Sequence, residues 1–143
     1  AAATATAERL ASDLDKVAAH GMSSLVSLID AQERARTGVP DLPQRARDAG
    51  LAWREWPIVD LSVPDAGCSG AFEALLNDLS RMLDDGQGIA IHCRAGLGRS
   101  GLVAASLLVR RGVMPANAIQ TVRNCRPGAI ETADQEAFIT SRR

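Results

Sequence analysis

A glycine-rich loop in the second half of the chain combines a thiol, a guanidinium and a hydroxyl at close spacing, in the run HCRAGLGRSG at residues 92–101. The preceding segment, Gly88–Ile91, is short and apolar and predicts a strand, whereas the following Gly101–Arg111 predicts a core helix. Such a loop lies at the carboxyl end of a strand, where α/β proteins bind ligands. Its backbone N–H groups and the positive end of the helix dipole favour an anion. The segment therefore predicts a nest for a tetrahedral dianion.

The side chains of this loop suit nucleophilic chemistry at phosphorus. Cys93 is the first loop residue, so its sulfur can lie at the base of the nest, where the N–H groups stabilise a thiolate nucleophile. Arg99 can hold two phosphate oxygens with its planar fork. Ser100 can donate its hydroxyl to the sulfur, and His92 can hydrogen-bond the backbone and fix the loop. The residues expected to bind the substrate phosphate are Arg94, Ala95, Gly96, Leu97, Gly98 and Arg99.

Other chemistries fit the sequence less well. The glycines at 96–101 also match the GxGxxG pattern of dinucleotide sites, but that reading needs an acidic residue about 20 positions later, and the first one is Glu131. A triphosphate-binding P-loop needs a lysine before Ser100, and none is present. His20 and His92 belong to no HExxH pattern, and the cysteines form no CxxC pattern. We therefore predict catalysis without a metal or other cofactor.

Attack by a thiolate needs a proton donor for the leaving oxygen. His92 is expected to be held beneath the loop, so the donor must come from elsewhere. The irregular segment 56–65 (WPIVDLSVPD) follows a predicted strand and carries two candidates, Asp60 and Asp65. Asp65 is equally well explained as a structural residue ahead of the next helix, and the residues alone leave both open.

The elements that position this loop alternate between strands and helices. Apolar runs predict strands, and apolar residues at helical spacing predict helices, with glycine and proline at the boundaries. The alternation predicts an α/β domain with a mainly parallel central sheet flanked by helices. Residues 1–6 are expected to be a flexible tail, and 7–143 a single domain. The predicted strands are 25–29, 51–58 and 88–91, and the predicted helices are 7–20, 31–36, 44–49, 71–83, 101–111, 132–141 and one that begins at 115.

Composition limits the classes of function. The 143 residues, 46% of them hydrophobic, suit one domain with a buried core. The net charge of −1 provides no general attraction for nucleic acid or an anionic membrane, and 3% aromatic residues argue against base stacking. No apolar run could span a bilayer, no signal peptide is visible and only three cysteines are present. We therefore expect a cytoplasmic protein with reduced thiols.

The loop HCRAGLGRSG resembles the signature of the cysteine-dependent protein phosphatases, HCxxGxxR[ST]. Two further stretches, WPIVDLSVPD before it and GLVAASLLVRRG with AIQTVRNCRPGAIET after it, are similar to the kinase-associated phosphatase branch of the dual-specificity group. The resemblance runs from about Leu10 to the C-terminus. It implies the protein-tyrosine-phosphatase fold.

The resemblance also implies roles for individual residues. The family hydrolyses phosphotyrosine through a phosphocysteine, which here would form on Cys93. Its general acid is the aspartate of a Pro-Ile-x-Asp element, which corresponds to Asp60 rather than Asp65. A glutamine near the last helix orients the attacking water in related members, and Gln135 stands in the matching stretch.

The chain departs from the family at two places. It lacks the strands that precede the opening helix in relatives, so the domain is expected to be without them. It also lacks the phosphotyrosine-recognition loop of the larger tyrosine-specific enzymes, which implies a shallow pocket that admits phosphoserine and phosphothreonine as well. The expected partner is a phosphorylated protein, with no nucleic acid, membrane or metal involved.

Two other functions use a cysteine in an anion-binding loop. A catalytically silent module would bind a phosphorylated partner and release it intact, although such a module does not need the thiol. A thiol-based enzyme similar to arsenate reductases would need further thiols, and Cys68 and Cys125 are available. We expect both to be buried core residues, with a reversible disulfide to Cys93 as the alternative.

Overall fold

The computed structural model describes residues 12–94 and 98–142. In this part of the chain, three strands form one parallel sheet in the order β2-β1-β3. They are β1 (Met22–Ser27), β2 (Ala52–Glu55) and β3 (Gly88–His92). The helices are α1 (12–19), α2 (Ala31–Arg36), α3 (Leu42–Asp48), α4 (Ser69–Asp84), α5 (Gly98–Arg110), α6 (Pro115–Cys125) and α7 (Ala133–Thr140), with a 3-10 turn at Ala66–Cys68.

Both faces of the sheet are covered, because successive side chains of a strand point to opposite sides. On one face Leu25 of β1 packs with residues of α1 and α3, including Leu14 and Leu42. On the other face the neighbouring Val26 belongs to the larger core, with residues of α4 and α5 such as Leu76 and Leu102. This layered arrangement is the usual one for a parallel sheet and confirms the predicted α/β class.

The predicted elements are present with shifted boundaries. The first strand runs over Met22–Ser27 rather than 25–29, although Leu28 and Ile29 remain buried beyond its end. The second strand stops at Glu55, ahead of Pro57, which has no N–H to donate. At both places buried apolar residues and single backbone hydrogen bonds, such as that of 3.0 Å from Ile58 N to Leu28 O, continue beyond the end of the regular strand.

The helix ends are set by local signals that the sequence carries. Asp30 caps α2 as predicted, its Oδ1 accepting a hydrogen bond of 2.8 Å from the N–H of Glu33. Helix α5 begins at Gly98, three residues earlier than predicted, so Arg99 and Ser100 lie in its first turn. The predicted tail, residues 1–6, lies outside the described residues. No helix in the described ranges is long and apolar enough to cross a membrane.

Candidate active site

Cys93 follows β3 directly and is buried, with 8% of its surface exposed. The hydroxyl of Ser100 donates a hydrogen bond to its Sγ atom at 3.0 Å. The strand fixes one side of this contact and the first turn of α5 fixes the other. A hydrogen-bond donor at this distance stabilises negative charge on sulfur.

The first turn of α5 lies unusually close to the segment before α7, and glycine makes this possible. A Cβ atom at Gly98 would come within 2.7 Å of Glu131 Oε1 and within 3.1 Å of both amide atoms of Gln135. At Gly101 it would meet Ile130 N at 3.0 Å. The 2.7 Å distance is shorter than real Cβ contacts, and those of 3.0–3.1 Å are tighter than most of them, so a side chain at either glycine would force its neighbours to shift.

Arg99 is almost completely buried, with 1% of its surface exposed, and is held by two neighbouring segments. Its Nη1 and Nη2 atoms donate to Oε1 and Oε2 of Glu33 at 2.8 and 2.7 Å. Nη1 also donates to the carbonyl oxygen of Ile58 at 2.9 Å. The Nε atom is buried and has no partner among the described residues. Nε and Nη2 share one edge of the guanidinium plane, and such an edge has the geometry to bind an anion at two points.

The charges of this pair stabilise each other. The hydrogen bond and charge of Arg99 hold the pKa of Glu33 below its usual value, against the opposing effect of burial. The hydrogen bond from Glu33 raises the pKa of Arg99, and the nearby Cys93 and Asp60 act in the same direction. Arg99 is therefore a permanent cation whose electrostatic neighbours include the cysteine and the predicted acid.

Asp60 lies in a tight turn that faces this arginine. The turn is closed by a 3.0 Å hydrogen bond from Ser62 N to Val59 O. Leu61 adopts a left-handed φ of 61°, where an L-residue is strained by about 1–2 kcal/mol. The carboxylate of Asp60 accepts from Leu61 N at 3.0 Å and lies 3.5 Å from Arg99 Nη2. Its side chain is 54% exposed, so it can reach a bound substrate.

Asp65, the other candidate acid, has a structural role. Its Oδ1 atom accepts a hydrogen bond of 3.1 Å from Gly67 N and caps the 3-10 turn. It lines a separate pocket with Trp56 and Cys68 rather than the cleft that holds Asp60.

Gln135 is buried and connects three parts of the site. Its Oε1 atom accepts from the backbone N–H groups of Glu131 and Thr132 at 2.9 and 3.2 Å. The second of these bonds, with the 3.0 Å bond from Gln135 N to Thr132 Oγ1, forms a capping box at the start of α7. Its Nε2 atom donates to Ser62 O at 3.1 Å, in the turn that carries Asp60. One Nε2 hydrogen remains, beside Gly98.

His92 is the last residue of β3 and lies next to Cys93. Burial lowers its pKa from the usual 6.5, and a hydrogen bond to the backbone of Cys93 offsets this only partly. The ring therefore stays neutral at neutral pH and holds the strand end next to the cysteine. Its Nε2 atom is buried without a partner in the described ranges.

A cleft of about 290 Å³ opens beside these residues, between α2 and the turn at Asp60. Arg94 is exposed and lines it, as do Glu33 and Arg36 of α2. The predicted phosphate-binding residues Ala95, Gly96 and Leu97 lie outside the described residues. The described part of the site thus supplies a thiol, a hydroxyl donor, a buried cationic edge and a carboxylic acid.

A family model described as polymorphic toxin system, DSP-PTPase phosphatase, matches residues 2–113. The chain belongs to this DSP-PTPase family. The match includes the cysteine loop and Asp60 and ends before Gln135.

Several relatives of this DSP-PTPase domain carry phosphatase names, and one similar relative is named a kinase inhibitor. Cyclin-dependent kinase inhibitor 3 of Rattus norvegicus is 31% identical over 130 residues, which cover 89% of this chain and 60% of that protein. Protein tyrosine phosphatase type IVA 3 of Bos taurus is 34% identical over 84 residues, covering 58% of this chain and 47% of that protein. The chain thus spans about three fifths of the first relative.

Solved structures agree with the predicted phosphatase fold. Kinase-associated phosphatase, with its catalytic-site cysteine substituted by serine, matches with a TM-score of 0.81 at 28% identity, covering 90% of this chain and 72% of that one. Tk-PTP in its active form matches with a TM-score of 0.76 at 28% identity, covering 93% and 87%. The predicted resemblance to the kinase-associated branch is confirmed.

The sequence reasoning missed Glu33. It lies in the first turn of α2, and α2 follows β1, whose carboxyl end lies beside that of β3. An acidic residue shortly after a neighbouring parallel strand was the available signal. Glu131 also lies near the site, since its carboxylate is next to Gly98. The sequence pattern gives it no role other than being the first acidic residue after the loop.

The expectation for the other two cysteines was wrong. Cys68 and Cys125 are exposed rather than buried, and all three cysteines are free. Cys68 lies at the start of α4 and Cys125 at the end of α6. The buried positions of these helices are occupied by other residues, such as Phe72 in α4 and Ile119 in α6.

Proposed function

We propose that this domain hydrolyses phosphorylated protein side chains through a phosphocysteine on Cys93. The observation that carries the proposal is the buried guanidinium of Arg99, whose Nε atom has no partner among the described residues and whose Nη2 atom lies 3.5 Å from Asp60. A phosphate held on this edge has a nucleophile and an acid within the same site. Family membership and the relatives that are phosphatases by name support the same function.

In the first step, the Cys93 thiolate attacks phosphorus. A sulfur–phosphorus bond forms as the bond to the leaving oxygen breaks, and Asp60 transfers its proton to that oxygen. The Nε and Nη2 groups of Arg99 bind two non-bridging oxygens and neutralise charge in the transition state. The exposed position of Asp60 on its turn suits this transfer.

In the second step, water attacks the phosphocysteine. The Asp60 carboxylate takes a proton from the water, the sulfur–phosphorus bond breaks and Cys93 leaves as a thiolate. The hydroxyl of Ser100, 3.0 Å from Sγ, stabilises the departing sulfur. The remaining Nε2 hydrogen of Gln135 is the group we assign to the water, since its Oε1 atom is already occupied by two N–H donors.

The proposed substrates are phosphotyrosine and also phosphoserine and phosphothreonine in proteins. The turn at 59–61 is exposed, with Val59 at 77% and Leu61 at 55%, which supports a shallow entrance. A phosphorylated protein is accordingly the proposed partner, and a cytoplasmic location stays a prediction.

The two other functions gain no specific support. A redox enzyme would need a second thiol that exchanges with Cys93, whereas Cys68 and Cys125 are free and on the surface. A silent binding module leaves the hydrogen bond from Ser100 to the sulfur without a purpose.

Hydrolysis of p-nitrophenyl phosphate in the presence of a chelator tests the proposal. We expect turnover by the wild type and none by Cys93→Ser, while Cys68→Ser, a surface control, keeps full activity. Loss of wild-type activity in the presence of the chelator, or activity retained by Cys93→Ser, would contradict a metal-independent, cysteine-based mechanism. Detection of a phosphocysteine after rapid acid quench identifies the intermediate.

A further inference from the structure

The rim of the active-site cleft carries features that the hydrolytic mechanism does not use. Three large hydrophobic side chains are strongly exposed in the described ranges: Val59, Leu61 and Met114. Two of them flank Asp60, and Val59 itself lines the cleft. Apolar groups beside a reaction site are typical of surfaces that contact a substrate.

The conformation of the turn at 59–61 is a second indication that its apolar side chains contact a substrate. Leu61 has a left-handed φ, a conformation that normally favours glycine or asparagine. A strained bulky residue at a site mouth points to a function for its side chain. In this conformation the side chain of Leu61 is exposed next to Asp60 instead of being buried.

The facing wall of the cleft is formed by α2 and carries Arg36. Arg36 is exposed, and no hydrogen bond or ion pair to it is recorded within the described ranges. The acidic Asp30 lies six residues earlier, about 9 Å along the helix axis, and its carboxylate is occupied as the α2 cap. Glu33 is neutralised by Arg99. Arg36 therefore places a positive charge on the outer part of this wall, about a turn and a half of helix away from the negative charge of Asp30.

We propose that this rim binds the residues that flank the phosphorylated side chain. The rim consists of Val59 and Leu61 on one wall and Arg36 on the other. It selects an extended phosphopeptide with an apolar residue on one side of the phosphorylated residue and an acidic residue on the other. This rests on the proposed function and names its substrate class.

A peptide fits the rim better than a membrane lipid. The protein has a net charge of −1, which gives no attraction to an anionic bilayer. The cleft also contains Asp30 and Asp60 beside its arginines, and this mixture disfavours a densely charged headgroup. An extended peptide can instead match opposite requirements on the two walls.

The test compares synthetic phosphotyrosine peptides that differ at one flanking position. In the wild type we expect kcat/KM for an aspartate-flanked peptide to exceed that of its lysine counterpart by about fivefold, and less so at high salt. Arg36→Glu should abolish or invert this ratio. Arg47→Glu, an exposed arginine of α3 outside the cleft, should leave the ratio unchanged.

The apolar wall is tested in the same way. A leucine-flanked peptide should exceed its serine counterpart by about fivefold. Val59→Ser and Leu61→Asn should reduce this preference to less than about twofold. Met114→Ser removes the exposed hydrophobic residue that lies outside the cleft, and it should leave the preference for the leucine-flanked peptide unchanged.

The outcomes separate the inference from the proposed function. A wild type that hydrolyses p-nitrophenyl phosphate but shows equal ratios for all peptides would overturn the inference alone. Faster hydrolysis of phosphoinositide vesicles than of every peptide would also overturn it. If the wild type is inactive, the proposed function fails, and binding of the same peptides to Cys93→Ser still decides whether the rim is selective.

Discussion

Arg99 and Glu33 meet in a two-point ion pair across 66 residues of sequence, with their nitrogen and oxygen atoms 2.7–2.8 Å apart. The pair uses the outer end of the guanidinium and leaves its Nε atom without a partner among the described residues. Glu33 therefore orients the arginine without blocking the edge that we assign to phosphate. Because Glu33 does not itself contact the substrate in this arrangement, it is a positioning residue.

Substituting Glu33→Gln should weaken both stability and catalysis. The variant removes the main counter-ion of the buried Arg99, and breaking a buried ion pair in this way costs about 3–5 kcal/mol. We expect kcat/KM for p-nitrophenyl phosphate to fall about 10–100-fold. Most of this fall should come from a higher KM, because a misoriented arginine binds the phosphate less well. Glu55→Gln is the matched control, since it removes a carboxylate that pairs with Arg34 away from the catalytic groups. An unchanged KM for Glu33→Gln would contradict the positioning role.

Replacing Ser100→Ala should slow the second step more than the first. The variant removes the donor that stabilises the departing thiolate, and the expected loss in turnover is about 10–100-fold. Stopped-flow measurements should then show a burst of nitrophenol that the wild type lacks. Ser106→Ala, at a buried serine of the same helix whose hydroxyl has no partner among the described residues, should show neither effect. A steady-state loss without a burst would place Ser100 in the first step.

Substitutions of Asp60 and Asp65 should have different effects on the dependence of kcat on pH. Asp60→Asn should lower kcat by about 10²–10⁴-fold and flatten the limb where the rate falls with rising pH, because no acid remains to be deprotonated. Asp65→Asn should keep activity, since asparagine also caps a turn. Profiles of kcat against pH for both variants check this. Full activity of Asp60→Asn would move the acid to another residue.

Adding a methyl group at Gly98 should damage the site. In Gly98→Ala the new Cβ would meet the Glu131 carboxylate and the buried amide of Gln135. We expect a loss of about 1–3 kcal/mol in unfolding free energy, together with reduced turnover. Gly70→Ala, in α4 with nothing within 4 Å of the new atom, should be neutral or slightly stabilising. Urea unfolding and the aryl phosphate assay measure both effects.

Stability should depend on pH in two separate windows. The folded pKa of His92 is below the usual 6.5, so the unfolded chain binds that proton more readily and stability falls as the pH drops through about 6.5. The lowered pKa of Glu33 acts further down, where its contribution is present above about pH 4.5 and is lost as the pH falls through its folded pKa. In urea unfolding, His92→Asn should flatten the fall between pH 7.5 and 5.5, whereas the exposed His20→Asn should not. An unchanged slope in His92→Asn would exclude its titration as the cause.

Much of the site was predictable because it is local. Cys93 and Ser100 flank one loop between a strand and a helix, so their spacing along the chain already places the hydroxyl near the sulfur. The cap at Asp30 and the turn around Asp65 likewise depend on neighbours two or three residues away. Strand boundaries were less predictable, since buried apolar residues continue beyond β1.

The sequence by itself determined the parallel α/β class and the position of Cys93 and Arg99 between a strand and a helix, on which their proposed roles rest. The tertiary structure alone decided which groups surround them. Glu33 reaches Arg99 because the order β2-β1-β3 places the carboxyl ends of β1 and β3 side by side. Gln135 reaches Ser62 across 73 residues because α7 packs against α5. Contacts of this kind depend on the order of strands and the packing of helices, which local spacing does not encode.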